Sequence, residues 1–230
     1  MRDNRIEIIP TCVPNDLADL SSKVDVIRPF AGDIHIDITD GVFAPKCTWP
    51  YQAKGNFSPF DLSVAEGLQA EIHLMVQAPR DIGLAFARAG ALSILGHVEA
   101  FDDQESVHAA LAAWKHAGAK EVGLGVLMQT PFEMLEHHLF IVNVIHLMTI
   151  ARIGTQGIPY EASAPQRVRA LHSLHPDMLI GVDGGVSEKN IRELARAGAR
   201  RFGVGSAISR AQDPAAAYAA LKSLASAALT

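Results

Sequence analysis

Ala87-Arg88-Ala89-Gly90-Ala91 and Ala195-Arg196-Ala197-Gly198-Ala199 are the same five residues used twice, and Lys115-His116-Ala117-Gly118-Ala119 is a close third. Each follows a segment of helical character and precedes an apolar, strand-like run: Leu92–His97, Val122–Leu127 and Arg201–Val204. The glycine of each joint suits a helix C-terminus, where a left-handed residue lets the chain turn toward the next strand. A joint repeated in this way predicts a strand–helix unit used several times over.

Outward from these joints the pattern covers the chain. Strands are predicted at Ile6–Thr11, Ile34–Thr39, Ile72–Val76, Leu92–His97, Val122–Leu127, Ile141–Met148, Met178–Asp183 and Arg201–Gly205. Helices are predicted near Asn15–Val26, Pro59–Gln69, Pro79–Arg88, Asp102–Ala117, Pro131–His138, Ala164–Leu174, Ser187–Ala197 and Pro214–Leu229. Proline near several starts (Pro79, Pro131, Pro165, Pro214) suits a first turn, where its missing N–H costs nothing, and Ser187 is a plausible N-cap. Nearly continuous apolar strands imply a parallel sheet covered on both faces. Eight such units in 230 residues predict a single α/β domain over residues 1–230, a (β/α)8 TIM barrel. A doubly wound open sheet shares the pattern, but the first strand lacks its Gly-x-Gly-x-x-Gly turn.

Composition narrows the function classes. The chain has 49% hydrophobic and 20% charged residues and a formal charge of -5. With no Lys/Arg run, that balance argues against a nucleic-acid or anionic-membrane surface. An anionic substrate stays open, because backbone N–H groups bind phosphate without net positive charge. Two cysteines, Cys12 and Cys47, are too few for a disulfide framework, and the most apolar run, Leu139–Met148, is too short to span a bilayer. The expectation is a free-thiol, cytoplasmic protein.

Candidate chemistry collects where a barrel places it, at the C-terminal ends of the strands. In Ile34–Gly41 the apolar Ile34, Ile36 and Ile38 alternate with His35, Asp37 and Thr39, so the polar residues share one face. A buried imidazole and carboxylate need partners; a metal ion or an Asp–His hydrogen bond serves equally at this point. The third strand adds His73 and Met75, the fourth His97 and Glu99, the sixth His146 and Met148, and the seventh Asp183. Two histidines and two carboxylates from strands two, three and seven suit a divalent metal ion, Zn, Fe, Mn or Co, without discriminating among them. His97, Glu99 and His146 fit packing or supporting roles at least as well. Gly184 and Gly185 after the seventh strand, with Gly205 and Ser206 after the eighth, let backbone N–H groups approach a phosphate. The remaining histidines (His108, His116, His137, His138, His172, His175) are read as solvated, and Trp49 and Trp114 as packing residues.

With these residues in place the chain resembles the ribulose-phosphate 3-epimerase family from Ile8 to Ile208. The likeness is carried by His35-Ile36-Asp37-Ile38-Thr39-Asp40-Gly41, His73-Leu74-Met75-Val76, Val182-Asp183-Gly184-Gly185-Val186 and Gly205-Ser206-Ala207-Ile208. The resemblance implies a metal-dependent epimerase of a ketose phosphate, by default one interconverting D-ribulose 5-phosphate and D-xylulose 5-phosphate through an enediolate. It implies His35, Asp37, His73 and Asp183 as metal ligands, Asp37 and Asp183 as the acid/base pair, and Gly184, Gly185, Gly205 and Ser206 around phosphate. It also implies a homo-oligomer, and it groups Thr11, His73, Met75 and Met148 around the substrate, to which Thr39 and Arg152 are added as positions where this chain departs from the family.

Several positions depart from the family pattern. Thr39 stands where methionine is usual, Thr11 where serine is usual, and Lys46 where asparagine is common. The loop Ala151–Gly157 replaces a Pro-Gly-Phe-Gly-Gly-Gln lid, with Arg152 open to two readings, a charged contact or a solvated loop residue. These changes leave room for another ketose phosphate, a hexulose or tetrulose. A non-catalytic sugar-phosphate binder is disfavoured, because a binder needs no opposed carboxylates.

Overall fold

The computed structural model describes residues 5–154 and 158–229. Eight parallel strands close into a barrel: β1 (Glu7–Cys12), β2 (Asp33–Thr39), β3 (Gln69–Met75), β4 (Ser93–His97), β5 (Glu121–Val126), β6 (Val144–Met148), β7 (Leu179–Asp183) and β8 (Arg201–Val204). Each strand pairs with its sequence neighbours, and β1 pairs with β8 through Ile8–Phe202 and Ile9–Gly203 to complete the ring. The outer helices are α1 (Leu17–Ile27), α2 (Pro79–Arg88), α3 (Gln104–Ala117), α4 (Ala164–Leu174), α5 (Ile191–Ala197), the short α6 (Ser206–Ser209) and α7 (Pro214–Ser226). No helix among the described residues is long and apolar enough to cross a membrane.

The three repeated joints close as expected. Gly90, Gly118 and Gly198 have φ of +96°, +125° and +121°. The following alanine N–H reaches back to a helix carbonyl each time: Ala91 to Phe86 at 3.0 Å, Ala119 to Trp114 at 3.1 Å and Ala199 to Leu194 at 3.1 Å. One local rule therefore delivers the chain from α2, α3 and α5 into β4, β5 and β8.

Strand alternation separates two cores. Ile34, Ile36 and Ile38 are fully buried against the outer helices, in a layer that includes Trp114, Phe86 and Phe202. Trp114 packs over Gly83 and Gly96, and its Nε1–H donates to the Arg80 carbonyl at 2.9 Å. On the barrel side β2 carries His35, Asp37 and Thr39, all buried. Register then stacks the interior: His35 pairs with Glu71 and Asp37 with His73, while His146 pairs with Gly181 and Met148 with Asp183.

Four local expectations are corrected. No α-helix forms over Pro59–Gln69; a hairpin (Tyr51–Ala53 with Asn56–Phe57) is followed by a 3-10 turn at Ser63–Ala65. Asp61 accepts from the Ser63 N–H at 2.8 Å, an Asx turn that competes with helix formation. Phe132–His138 is likewise 3-10, and His138, read as solvated, is 1% exposed because its turn packs on α3. Asn190, and not Ser187, holds the N-cap position of α5; the Ser187 N–H instead donates to Asn190 Oδ1 at 2.9 Å.

Candidate active site and metal centre

At the C-terminal mouth a cavity of about 160 Å³ opens above the polar interior. Its walls include Thr11, Asp37, Thr39 and Asp183, with Met75 and Met148 as apolar surface. Gly184, Gly185, Gly205 and Ser206 form part of the lining as well. Gly184 and Gly185 turn with φ of +111° and +68°. A Cβ on Gly184 would sit 2.8 Å from Ile150, so this turn demands glycine both for its backbone and for space.

His35 and His73 lie beneath this floor, fully buried. They belong to one polar chain that crosses the barrel. Glu71 Oε1 meets His35 Nδ1 at 2.8 Å, and His35 Nε2 faces Asp37 Oδ1 at 3.2 Å. The same Asp37 oxygen faces His73 Nδ1 at 3.0 Å, His73 Nε2 meets His97 Nε2 at 2.9 Å, and His97 Nδ1 meets Glu99 Oε2 at 3.1 Å. Beyond Glu71 lies Arg201, paired with Glu71 and Glu7 at 2.6 Å and with Glu121 at 2.9 Å.

The carboxylates at the two ends set the ring tautomers. If Glu71 accepts from His35 Nδ1–H, the lone pair of Nε2 points toward Asp37. If Glu99 accepts from His97 Nδ1–H, His97 Nε2 accepts from His73 Nε2–H, and the His73 Nδ1 lone pair also points toward Asp37. Two nitrogen lone pairs and a carboxylate oxygen within 3.2 Å need positive charge among them, whether protons or a metal ion. The donor set fits a divalent ion of the kind imidazoles and carboxylates hold.

Without an ion, protons take that place. Burial works against charge on His35, but Asp37 and Glu71 outweigh it and hold the ring's pKa well above its ordinary value. Burial likewise opposes charge on Asp37, and the His35 and His73 hydrogen bonds overcome it, placing its carboxyl well below the usual carboxylate range. Asp183 goes the other way: burial first, and the Asp37 charge second, push it up to about 6. One mouth therefore carries two carboxyl groups with widely separated proton affinities.

Among the described residues, His35, His73, His146 and Asp183 form a group of possible metal donors, each with a ligand atom within 4.8 Å of the others. Three of these four are the residues expected from the sequence, with His146 in the group in place of Asp37. Arg152 does not line the mouth cavity; it is exposed, beside a separate groove that includes Phe43, Pro45, Leu127 and Ile153. Lys46 is exposed and also outside the cavity. Thr155, Gln156 and Gly157 of the altered loop lie outside the described residues.

Sequence reasoning passed over Glu71 and Arg201 and set His97, Glu99 and His146 aside. The available signal was period two: Glu71 shares a strand face with His73, and His146 with Met148. Arg201 had no such signal, because its partners Glu7, Glu71 and Glu121 are 194, 130 and 80 residues away along the chain, respectively.

Comparison with known proteins agrees with this architecture. Solved structures with the same fold include 3-hexulose-6-phosphate synthase from Salmonella typhimurium (TM-score 0.65, 14% identity, covering 97% of this chain and 100% of that one). Another is KGPDC from Streptococcus mutans (TM-score 0.68, 12% identity, covering 98% and 100%). At such identities they speak for fold alone. Sequence relatives go further: the ribulose-phosphate 3-epimerase of Aquifex aeolicus is 32% identical over 222 residues, covering 94% of this chain and 96% of the relative. That of Rhodobacter capsulatus is 32% identical over 210 residues, covering 90% and 87%. The model of the ribulose-phosphate 3 epimerase family matches residues 7–209. The chain belongs to the ribulose-phosphate 3-epimerase family and is an isomerase of the epimerase type acting on carbohydrates.

Proposed function

We propose that this protein inverts the configuration at C3 of a phosphorylated ketose, interconverting D-ribulose 5-phosphate and D-xylulose 5-phosphate, with Asp37 and Asp183 as the proton-transfer pair. The observation that carries this reading is the pair itself. Both carboxyl groups line one cavity, one held strongly ionised and the other with its pKa pushed up to about 6. A base with high affinity for a proton and a partner on the same cavity suit abstraction from one face of a carbon and return from the other. Either carboxylate takes the first role, according to which epimer is bound.

The remaining residues bind and orient. Gly184, Gly185, Gly205 and Ser206 present backbone N–H groups for the phosphate. The Thr11 and Thr39 hydroxyls, on residues that line the cavity, have no hydrogen-bond partner among the described residues and are assigned to sugar oxygens. Met75 and Met148 keep water from the reacting carbon. Residues His35, Asp37, His73 and Asp183 would hold a divalent cation, which when bound supplies positive charge to the substrate oxygens that become enediolate. Arg152, exposed beside the mouth, is assigned to the approach of the phosphate. A homo-oligomeric, cytoplasmic protein completes the reading; a relative in Oryza sativa is described as a cytoplasmic isoform.

The test is exchange of the C3 proton of ribulose 5-phosphate with solvent deuterium, catalysed by purified protein with added Zn2+, Fe2+, Mn2+ or Co2+. Asp37→Asn and Asp183→Asn should each abolish exchange while the protein stays folded. No exchange by the wild type on this or related ketose phosphates would favour a non-catalytic binder. The Thr39 hydroxyl supports a second reading, a hexulose or tetrulose phosphate as substrate, which relative kcat/KM values would separate.

A further inference from the structure

His146 stands out from its neighbours. It lies in the middle of β6, fully buried, and neither Nδ1 nor Nε2 has a hydrogen-bond partner among the described residues. The other interior histidines are all held: His35 by Glu71 and Asp37, His73 by Asp37 and His97, His97 by Glu99. The His146 ring stacks on His35 with centroids 5.2 Å apart and meets the edge of His73 at 4.9 Å. As filler an imidazole is a poor choice here, because an aliphatic side chain would bury no unpaired polar atom.

The barrel also makes room for this ring. Gly181 is its register partner on β7, and a Cβ there would stand 2.8 Å from His146 Nδ1. A side chain on Gly181 would force the ring to move. The sequence therefore spends a glycine on a buried imidazole with no hydrogen-bond partner among the described residues, next to a cluster of metal-type donors.

We propose that His146 is itself a metal ligand in this chain, a third imidazole that joins His35, Asp37, His73 and Asp183 around one divalent ion. The inference rests on the reading of the mouth as a metal centre and adds the donor that reading leaves out. Donor atoms of His35, His73, His146 and Asp183 lie within 4.8 Å of one another. Donors about 2.0–2.2 Å from one ion stand about 3.3–3.6 Å apart in a tetrahedral set, so side-chain movements on the order of 1 Å close it. The ion supplies the partner that the His146 ring lacks. A third imidazole moves the site toward Co2+, Zn2+ and Ni2+ and away from Mg2+ and Mn2+, which prefer oxygen.

The experiment is a Co2+ titration of metal-free wild type and His146→Leu, read by visible absorption and by competition with a chelator. Wild type should bind one equivalent. The variant should lose more than the roughly 10–100-fold in affinity that loss of an outer partner costs, with altered ligand-field bands, while its metal-free thermal midpoint holds or rises. Equal affinity and identical bands in the two proteins overturn the inference and leave the metal centre standing. A wild type that takes up no Co2+ overturns the metal centre as well. Should the variant not fold, anomalous diffraction from Co2+-soaked wild-type crystals decides the matter. A peak about 2.0–2.3 Å from a His146 nitrogen upholds the assignment, and a peak held without His146 overturns it.

Discussion

Replacing Asp183 by asparagine should make the metal-free protein more stable at pH 8 and change it little at pH 4. In the folded barrel, burial and the nearby Asp37 charge raise this carboxyl from 3.8 to about 6. The folded protein thus holds the proton more tightly than the unfolded chain does. The stability that this contributes is complete below pH ~4 and is lost as pH rises through about 6. The full difference corresponds to about 3 kcal/mol, most of which falls between pH 4 and pH 8. Asparagine fills the same space without ionising, so the advantage of Asp183→Asn over wild type should grow by about 2–3 kcal/mol across that range. Urea unfolding followed by circular dichroism, with EDTA present, measures it directly. Co2+ at about 100 times its dissociation constant should then return about 2.7 kcal/mol to the wild type. A stability difference that stays flat from pH 4 to pH 8, or shrinks as pH rises, would refute the assignment of Asp183 as the desolvated, proton-holding carboxyl.

Two further substitutions probe the surroundings. Glu71→Gln removes the charge that His35 and Arg201 share deep in the barrel. It should cost about 3 kcal/mol of stability, as breaking a buried pair does, and weaken Co2+ binding roughly 10–100-fold through loss of the group that orients His35. Denaturation and chelator competition read the two effects, and an unchanged value in both would remove Glu71 from the site. Thr39→Met exchanges a buried hydroxyl on the cavity wall, unpartnered among the described residues, for an apolar chain beside Met75 and Met148. Relative kcat/KM among pentulose, hexulose and tetrulose phosphates should move by about 10-fold or more. Stability should fall by no more than about 1–3 kcal/mol. Unaltered substrate preference would show that Thr39 does not face the sugar.

Sequence alone determined the architecture and much of the mouth. Local rules suffice for that: the Ala-Gly-Ala joints impose helix ends wherever they occur, and the alternation along Ile34–Thr39 assigns each side chain to the helices or the barrel. Once eight such units close, strand ends converge, so His35, Asp37, His73 and Asp183 could be brought together on paper. The same local reasoning failed over Pro59–Gln69, where the Asp61 side chain captures the Ser63 N–H and diverts the chain from a helix.

What only the tertiary structure decided is how the interior groups divide positive charge among them. Strand register sets Glu71 beside His35 and Arg201 against carboxylates from three other strands. It also leaves His146 beside Gly181 with neither nitrogen hydrogen-bonded among the described residues. Burial pushes both aspartates up, but the His35 and His73 hydrogen bonds reverse it at Asp37 alone, so Asp37 goes down and Asp183 up though both are aspartates at strand ends. Residue type fixes which atoms are available, but proton affinity and metal affinity depend on distances of a few ångströms between strands far apart in the chain.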